Sequence, residues 1–202
     1  MVNSLDKIEN VNKIYGKFLV GNLYKKRIDK VINLTDIRNK KILDIGFGYG
    51  ILLLMLKDKG SELYGINIDK NQLDITKEIL EKEGIDNLYL SLADITQKTY
   101  FNKDFFDVIF ANSVLEHIKD IDSANLEIKR ILNDNGLYII SIPTENLIYC
   151  LGRLLFGFKK PPDHINNLKD IEHNLNKHFI ILKSISYPSK ILPIYKLVMC
   201  KK

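Results

Sequence analysis

Between residues 41 and 143, short apolar runs alternate with amphipathic stretches, and this alternation constrains the fold more than any other feature. "KILDI" (41–45), "ELYGINI" (62–68), "NLYLSLA" (87–93), "FDVIFA" (106–111) and "LYIISIP" (137–143) read as strands rich in β-branched and aromatic residues. "ILLLMLKDKG" (51–60) and "NQLDITKEILEKEG" (71–84) read as helices closing on glycine, the second with Leu73, Thr76, Ile79 and Leu80 on one face. A helical region over 112–133 breaks near "KDID", where Asp122 is placed to cap the second half, and "NDNG" (133–136) predicts a turn. Repeated strand, helix, strand demands a parallel sheet covered on both faces, and right-handed crossovers wind it to both sides. The end of the chain departs from this. "HFIILKSISYP" and "ILPIYKLVMCKK" are separated only by "SK", a link that permits an antiparallel hairpin and no crossover helix.

Ahead of the alternation, Ile8, Val11, Ile14, Tyr15, Phe18 and Leu19 recur at helical spacing, so residues 5–33 read as one or two helices. With 202 residues and no repeat or low-complexity linker, one domain is expected. Apolar residues make up 46%, enough for a real core, and 30 basic against 25 acidic residues leave a charge of +5. That excess is mild and unclustered, so a solvated surface is expected in place of a nucleic-acid or anionic-membrane footprint. Cys150 and Cys200 lack metal-binding spacing, the N-terminus lacks a signal-peptide core, and no apolar run approaches the roughly 20 residues of a spanning helix. These features point to a cytoplasmic protein.

"DIGFGYG" follows the first sheet strand, where an open parallel sheet receives its ligand. Glycine permits positive φ and lets a ligand touch the main chain. A dinucleotide site wants G-x-G-x-x-G, whereas Gly46, Gly48 and Gly50 are more tightly spaced and Asp44 stands two residues ahead of them. A carboxylate there disfavours a pyrophosphate and favours a cation such as an ammonium group. A nicotinamide-dependent oxidoreductase is therefore the weaker alternative.

These residues carry a resemblance. "ILDIGFGYG", "LYGINIDKNQL", "LADI", "FDVIFANSVLEHIKD" and "RILNDNGLYIISIPT" resemble, in order, the motifs of class I S-adenosylmethionine-dependent methyltransferases. The resemblance implies a Rossmann-like α/β fold, doubly wound, with a mostly parallel seven-stranded sheet and a C-terminal antiparallel hairpin. It divides the chain into an N-terminal helical cap (1–34), a cofactor-binding core (35–143), an acceptor-side helical insertion (144–177) and the hairpin (178–202). S-adenosylmethionine is the implied cofactor and a small molecule the implied acceptor. The alternative is a non-catalytic protein that binds the same cofactor.

By position, the resemblance implies that Gly46, Phe47, Gly48 and Gly50 border the methionine part of the cofactor and that Asp44 organises its amino group. The acid that binds the ribose diol is replaced by Asn67, with Asp69 two residues on, and both stay candidates. Asp94 is implied for the adenine amino group, with Ile68 and Ile95 on the ring faces and Asn112 contributing backbone. Asp94 has an alternative role as a local loop cap. His117 and His164 are candidate catalytic bases on the acceptor side, against a purely structural reading of each, and Tyr15 belongs to a helix that would fold across the cofactor. Ubiquinone-type relatives place a further glutamate three residues before "EH" to help hold a divalent cation. Ser113 stands there, so no metal is expected.

The stripe Leu147, Ile148, Leu151, Leu154, Leu155 and Phe158 ends at Lys159–Lys160 and has three readings. In order of preference these are a closing helix at the core or a dimer interface, a lid over an apolar acceptor, and a membrane-contacting helix over 147–158. The state expected is monomer or homodimer. "ANSV" in place of an "NPPY"-like tetrad, with no added RNA-binding module, argues against nucleic-acid substrates.

Overall fold

The computed structural model describes residues 18–57, 59, 61–85, 87–146, 149–150 and 164–202. The strands are β1 (Lys41–Ile45), β2 (Glu62–Asn67), β3 (Leu88–Leu92), β4 (Phe106–Asn112), β5 (Leu132–Pro143), β6 (Ile180–Pro188) and β7 (Pro193–Lys201). The helices are α1 (Phe18–Ile32), α2 (Ile51–Leu56), α3 (Lys70–Lys82), α4 (Ile121–Ile131) and α5 (Leu168–His178), with a 3₁₀ turn at Leu115–His117. All seven strands join one sheet in the order β3-β2-β1-β4-β5-β7-β6. Only β7 runs antiparallel to its neighbours, as the short "SK" link requires.

Central strands are buried on both faces, which explains their unbroken apolar runs. One face packs Ile28, Val31 and Ile32 of α1, Leu52, Leu53 and Leu56 of α2 and Leu80 of α3 against Ile42, Leu63, Phe110 and Ile139. The other packs Ile128 and Ile131 of α4 and Ile171 and Leu175 of α5 against Leu43, Ile45, Ile109 and Ile140. Strand order reverses between β1 and β4, so a crevice opens there beyond the carboxyl ends of the strands.

Several local expectations change. Helix α2 ends at Leu56, short of Gly60. Asp120, not Asp122, caps α4 by accepting from the Ser123 N–H at 3.0 Å. Asp122 instead binds Lys177 and His178 of α5, 2.6 and 2.8 Å away, and the hydrogen bonds from these two side chains hold its carboxyl down at about 2. It ties two helices together, so a capping rule read from one helix alone misplaces it. "NDNG" forms a bulge within β5: Phe106 pairs with Leu132 and Val108 with Leu137, and the intervening residues loop out. Cys150 is exposed and Cys200 buried, and both are free thiols. Among the described residues no helix is long and apolar enough to cross a membrane. Tyr15 and the stripe from Leu147 to Phe158 lie outside the described residues.

Candidate active site

Gly46, Gly48 and Gly50 all have positive φ, at 62°, 54° and 73°. A β-carbon on Gly46 would lie 2.7 Å from Val114, and one on Gly50 would lie 2.8 Å from Thr76 and 3.0 Å from Leu80. At Gly48 it would meet no atom of the described residues within 4 Å. The three glycines therefore answer different demands. Two let the chain's own side chains close in, and Gly48 alone turns an open backbone face outward. The bend is fixed by bonds from Gly46 N–H to the Ile66 carbonyl and from the Thr76 hydroxyl to the Gly48 carbonyl, each 2.8 Å. Phe47 offers only its backbone here, since its side chain is buried in the core against Gly65.

Asp44 stands on β1 beside this bend, 3% exposed. No hydrogen bond or ion pair reaches its side chain from the described residues, and burial pushes its carboxyl up to about 8. An acid so placed is held largely neutral at pH 7 until a cation arrives. Register places it opposite Phe110, and the same face continues along β4 to Asn112.

At the end of β2, Asn67 is buried and accepts from the Asp69 N–H while donating to Gln72, both at 3.0 Å. Asp69 caps α3, accepting from the N–H groups of Asn71 and Gln72 at 2.8 and 3.2 Å. Its first oxygen is thus committed to the helix. Ile68 between them is 73% exposed, an apolar side chain presented at the strand end. Beyond β3, Asp94 accepts from both the N–H and the hydroxyl of Thr96, at 2.9 and 2.8 Å, the local-cap role. Ile95 belongs to the buried core and has only 4% of its surface left to offer a ring.

The end of β4 holds Asn112, implied for its backbone, together with Ser141 and Arg27, which no sequence motif singles out. Both polar atoms of the Asn112 amide are buried without a hydrogen-bond partner among the described residues, and so is the hydroxyl of Ser141, its register partner on β5. Unsatisfied buried polar atoms are rare in folded proteins and cost stability, which marks them as ligand-facing candidates. Ser113, next along, has φ 57°, a left-handed conformation seldom adopted outside glycine. Its hydroxyl accepts from the fully buried guanidinium of Arg27 on α1 at 2.7 Å, and that guanidinium stacks between Tyr24 and Tyr195. Nothing in the α1 sequence pattern separates Arg27 from its basic neighbours Lys25 and Lys26, because only tertiary packing buries it.

Further along, the 3₁₀ turn carries Glu116 and His117. The segment after residue 163 is fastened to that turn: Ile165 and Asn166 N–H groups bond the Glu116 carbonyl at 2.8 and 3.2 Å, and the Asn166 amide reaches the Leu115 and Ile118 carbonyls. This fastening brings the His117 and His164 rings together, edge to face with centroids 4.6 Å apart. His164 Nδ1 lies 2.5 Å from Glu145, a residue that also has positive φ, at 48°. The two candidate bases therefore share one cluster, although they come from separate segments.

A sheet reversed at its seventh strand, a left-handed glycine bend at the switch point and a buried acid beside it define a doubly wound protein with a candidate ligand crevice over β1 and β4. The comparison with known families agrees: residues 43–140, just under half of the chain, match the methyltransferase domain. The ubiquinone biosynthesis O-methyltransferase of Pelagibacter ubique (strain HTCC1062) is 28% identical over 142 residues, 69% of this chain and 57% of that protein. The chain covers about a third to a half of several other curated relatives. A SAM dependent methyltransferase from Aquifex aeolicus shares the fold with a TM-score of 0.72 at 13% identity, over 99% of this chain and 98% of that one. The [4+2]-cyclase SpnF shares it at 0.74 and 16% identity, over 91% and 82%.

Proposed function

We propose that the chain transfers a methyl group from S-adenosylmethionine to a small-molecule acceptor. One observation carries this reading: Asp44 is a buried acid without a cationic partner among the described residues, beside a glycine bend whose outward face is open at Gly48. A buried carboxyl becomes ionised when a cation is placed against it, and the ammonium of the cofactor's methionine part supplies one. A diphosphate supplies the opposite charge, which sets nicotinamide dinucleotides aside. When bound, the cofactor supplies an electrophilic sulfonium methyl.

The chain's residues would then bind, orient and exclude water. Gly48 offers main chain to the methionine part, Asn67 a neutral amide to the ribose, and Ile68 an apolar surface to the adenine, with the second oxygen of Asp94 facing its amino group. Asn112 and Ser141 present buried polar atoms, and Arg27 a buried positive charge. His117 and His164 mark the acceptor side.

The test is a thermal-shift comparison of S-adenosylmethionine, its demethylated product and NAD on the wild type and Asp44→Asn. Stabilisation by the first two alone, lost in Asp44→Asn, supports the reading, and stabilisation by NAD alone ends it. A second reading, a binding protein without methyl transfer, draws on Asn67: an amide bonds a diol more weakly than a carboxylate does. Transfer of labelled methyl to any acceptor in a small-molecule screen excludes it.

A further inference from the structure

We propose that Glu116, His117 and His164 form a site for a divalent first-row transition metal, with Glu145 as the carboxylate that orients His164. Each of the three offers a ligand atom, and these atoms all lie within 4.8 Å of one another. Ligands on one ion at metal–nitrogen distances near 2.1 Å stand about 3–4 Å apart, so side-chain adjustments of an ångström or less close the set. Glu116 is 2% exposed, and the two imidazoles meet edge to face beside it.

The surroundings have the form that metal sites require. A ligating histidine gives its second nitrogen to a carboxylate, which fixes tautomer and ring orientation. His164 does this through Nδ1, 2.5 Å from Glu145 Oε1, and leaves Nε2 for the ion. The side chains of His164 and Glu145 are 6% and 18% exposed, so the pair is sheltered from water. The segments bearing His164 and Glu116 are fastened by the Ile165 and Asn166 bonds to the 3₁₀ turn, which holds the donors in place before any ion binds.

The donor set also differs from the one that the resemblance implies. Ser113 fills the place of the first glutamate and is engaged with Arg27. The third donor is His164, from a segment after β5, and it converts an oxygen-rich set into two imidazoles and one carboxylate. Such a set selects zinc, manganese, iron, cobalt or nickel over magnesium. The turn follows β4 at the same sheet end as the glycine bend, whose Gly46 abuts Val114, two residues before Glu116. Three protein donors leave a coordination position for an acceptor oxygen such as a hydroxyl or carboxylate. That role rests on the methyl-transfer reading, whereas binding of the ion does not.

The experiment uses the full chain, prepared without a polyhistidine tag and freed of metal by chelation. Zn²⁺, Co²⁺ and Mg²⁺ are titrated separately by calorimetry, and the visible spectrum of the Co²⁺ form is recorded. Expected are one Zn²⁺ or Co²⁺ per chain with micromolar or tighter affinity, a cobalt band typical of nitrogen–oxygen ligation, and far weaker Mg²⁺ binding. His164→Ala should abolish binding, and Glu145→Gln should weaken it about 10–100-fold. Cofactor-induced thermal shift serves as the folding control for each variant and separates failure of this site from failure of the methyl-transfer reading. If His164→Ala does not fold, Co²⁺ bound to the wild type without nitrogen ligation decides against the site. No stoichiometric Zn²⁺ binding, or undiminished binding in folded His164→Ala, also overturns it.

Discussion

Val114 Cγ2 lies 2.7 Å from the position that a β-carbon on Gly46 would take, while a β-carbon on Gly48 would meet none of the described residues within 4 Å. Both residues have left-handed φ, so alanine at either costs roughly 1–2 kcal/mol of backbone strain. Gly46→Ala adds a clash with the loop that follows β4 and should displace it. Gly48→Ala adds no clash, and its second effect falls on the ligand face. Urea unfolding should therefore show Gly46→Ala clearly less stable than Gly48→Ala. Cofactor calorimetry should show Gly48→Ala losing affinity out of proportion to its stability loss. Equal stabilities, or unchanged affinity in Gly48→Ala, would contradict this division of labour.

Asp44 gives the ligand-free protein a pH dependence whose sign follows from its burial. In the unfolded chain its carboxyl titrates near 3.8 and in the folded protein near 8. Between those values the folded state holds the extra proton, so stability falls as pH rises, by up to ~1.4 kcal/mol per unit. The contribution is fully present below pH 4 and fully lost above 8. Asp44→Asn should flatten this part of the curve and be the more stable protein at pH 8 without ligand. Cofactor binding should reverse the preference and expel the proton. Calorimetry at pH 7 in two buffers of different ionisation enthalpy should report release approaching one proton in the wild type and none in any residual binding by Asp44→Asn.

At the end of β2, the helix cap separates two residues that the sequence leaves equivalent. Asp69 holds the first turn of α3, so Asp69→Ala should cost about 0.5–2 kcal/mol of stability. Its effect on cofactor affinity should be small. Asn67→Ala should do the reverse, with several-fold weaker binding and a smaller stability change. The two readouts, urea midpoint and cofactor Kd, should therefore rank the variants in opposite orders. The same ranking in both assays would return Asp69 to the ribose.

Local signals made the strands, the hairpin and the glycine bend legible, because apolar period, short links and glycine spacing are properties of neighbouring residues. Asp44 was legible for the same reason: it lies two residues from the bend. What escaped depends on distant packing. Asp122 reads as a cap until α5 brings Lys177 and His178 to it. Arg27 reads as one of several basic residues until Ser113, Tyr24 and Tyr195 enclose it. Ile95 and Phe47 read as ligand contacts by motif position, yet the core claims their side chains. The pairing of His117 with His164 depends on a segment being folded back onto the 3₁₀ turn, and no spacing in the chain announces that.

Asn112 supplies a last prediction, since its amide carries two buried polar atoms without partners among the described residues. Such groups lower stability by roughly 1–3 kcal/mol relative to an apolar side chain of similar shape. Asn112→Leu should therefore raise the unfolding midpoint of the ligand-free protein, an unusual gain for a polar-to-apolar change at a strand end. If the amide exists to meet a ligand, that gain should come with a reduced thermal shift from S-adenosylmethionine, or with lost turnover at intact cofactor affinity. The first outcome would place the amide on the cofactor and the second on the acceptor. A variant that is less stable and binds and turns over like the wild type would show that Asn112 serves the fold alone.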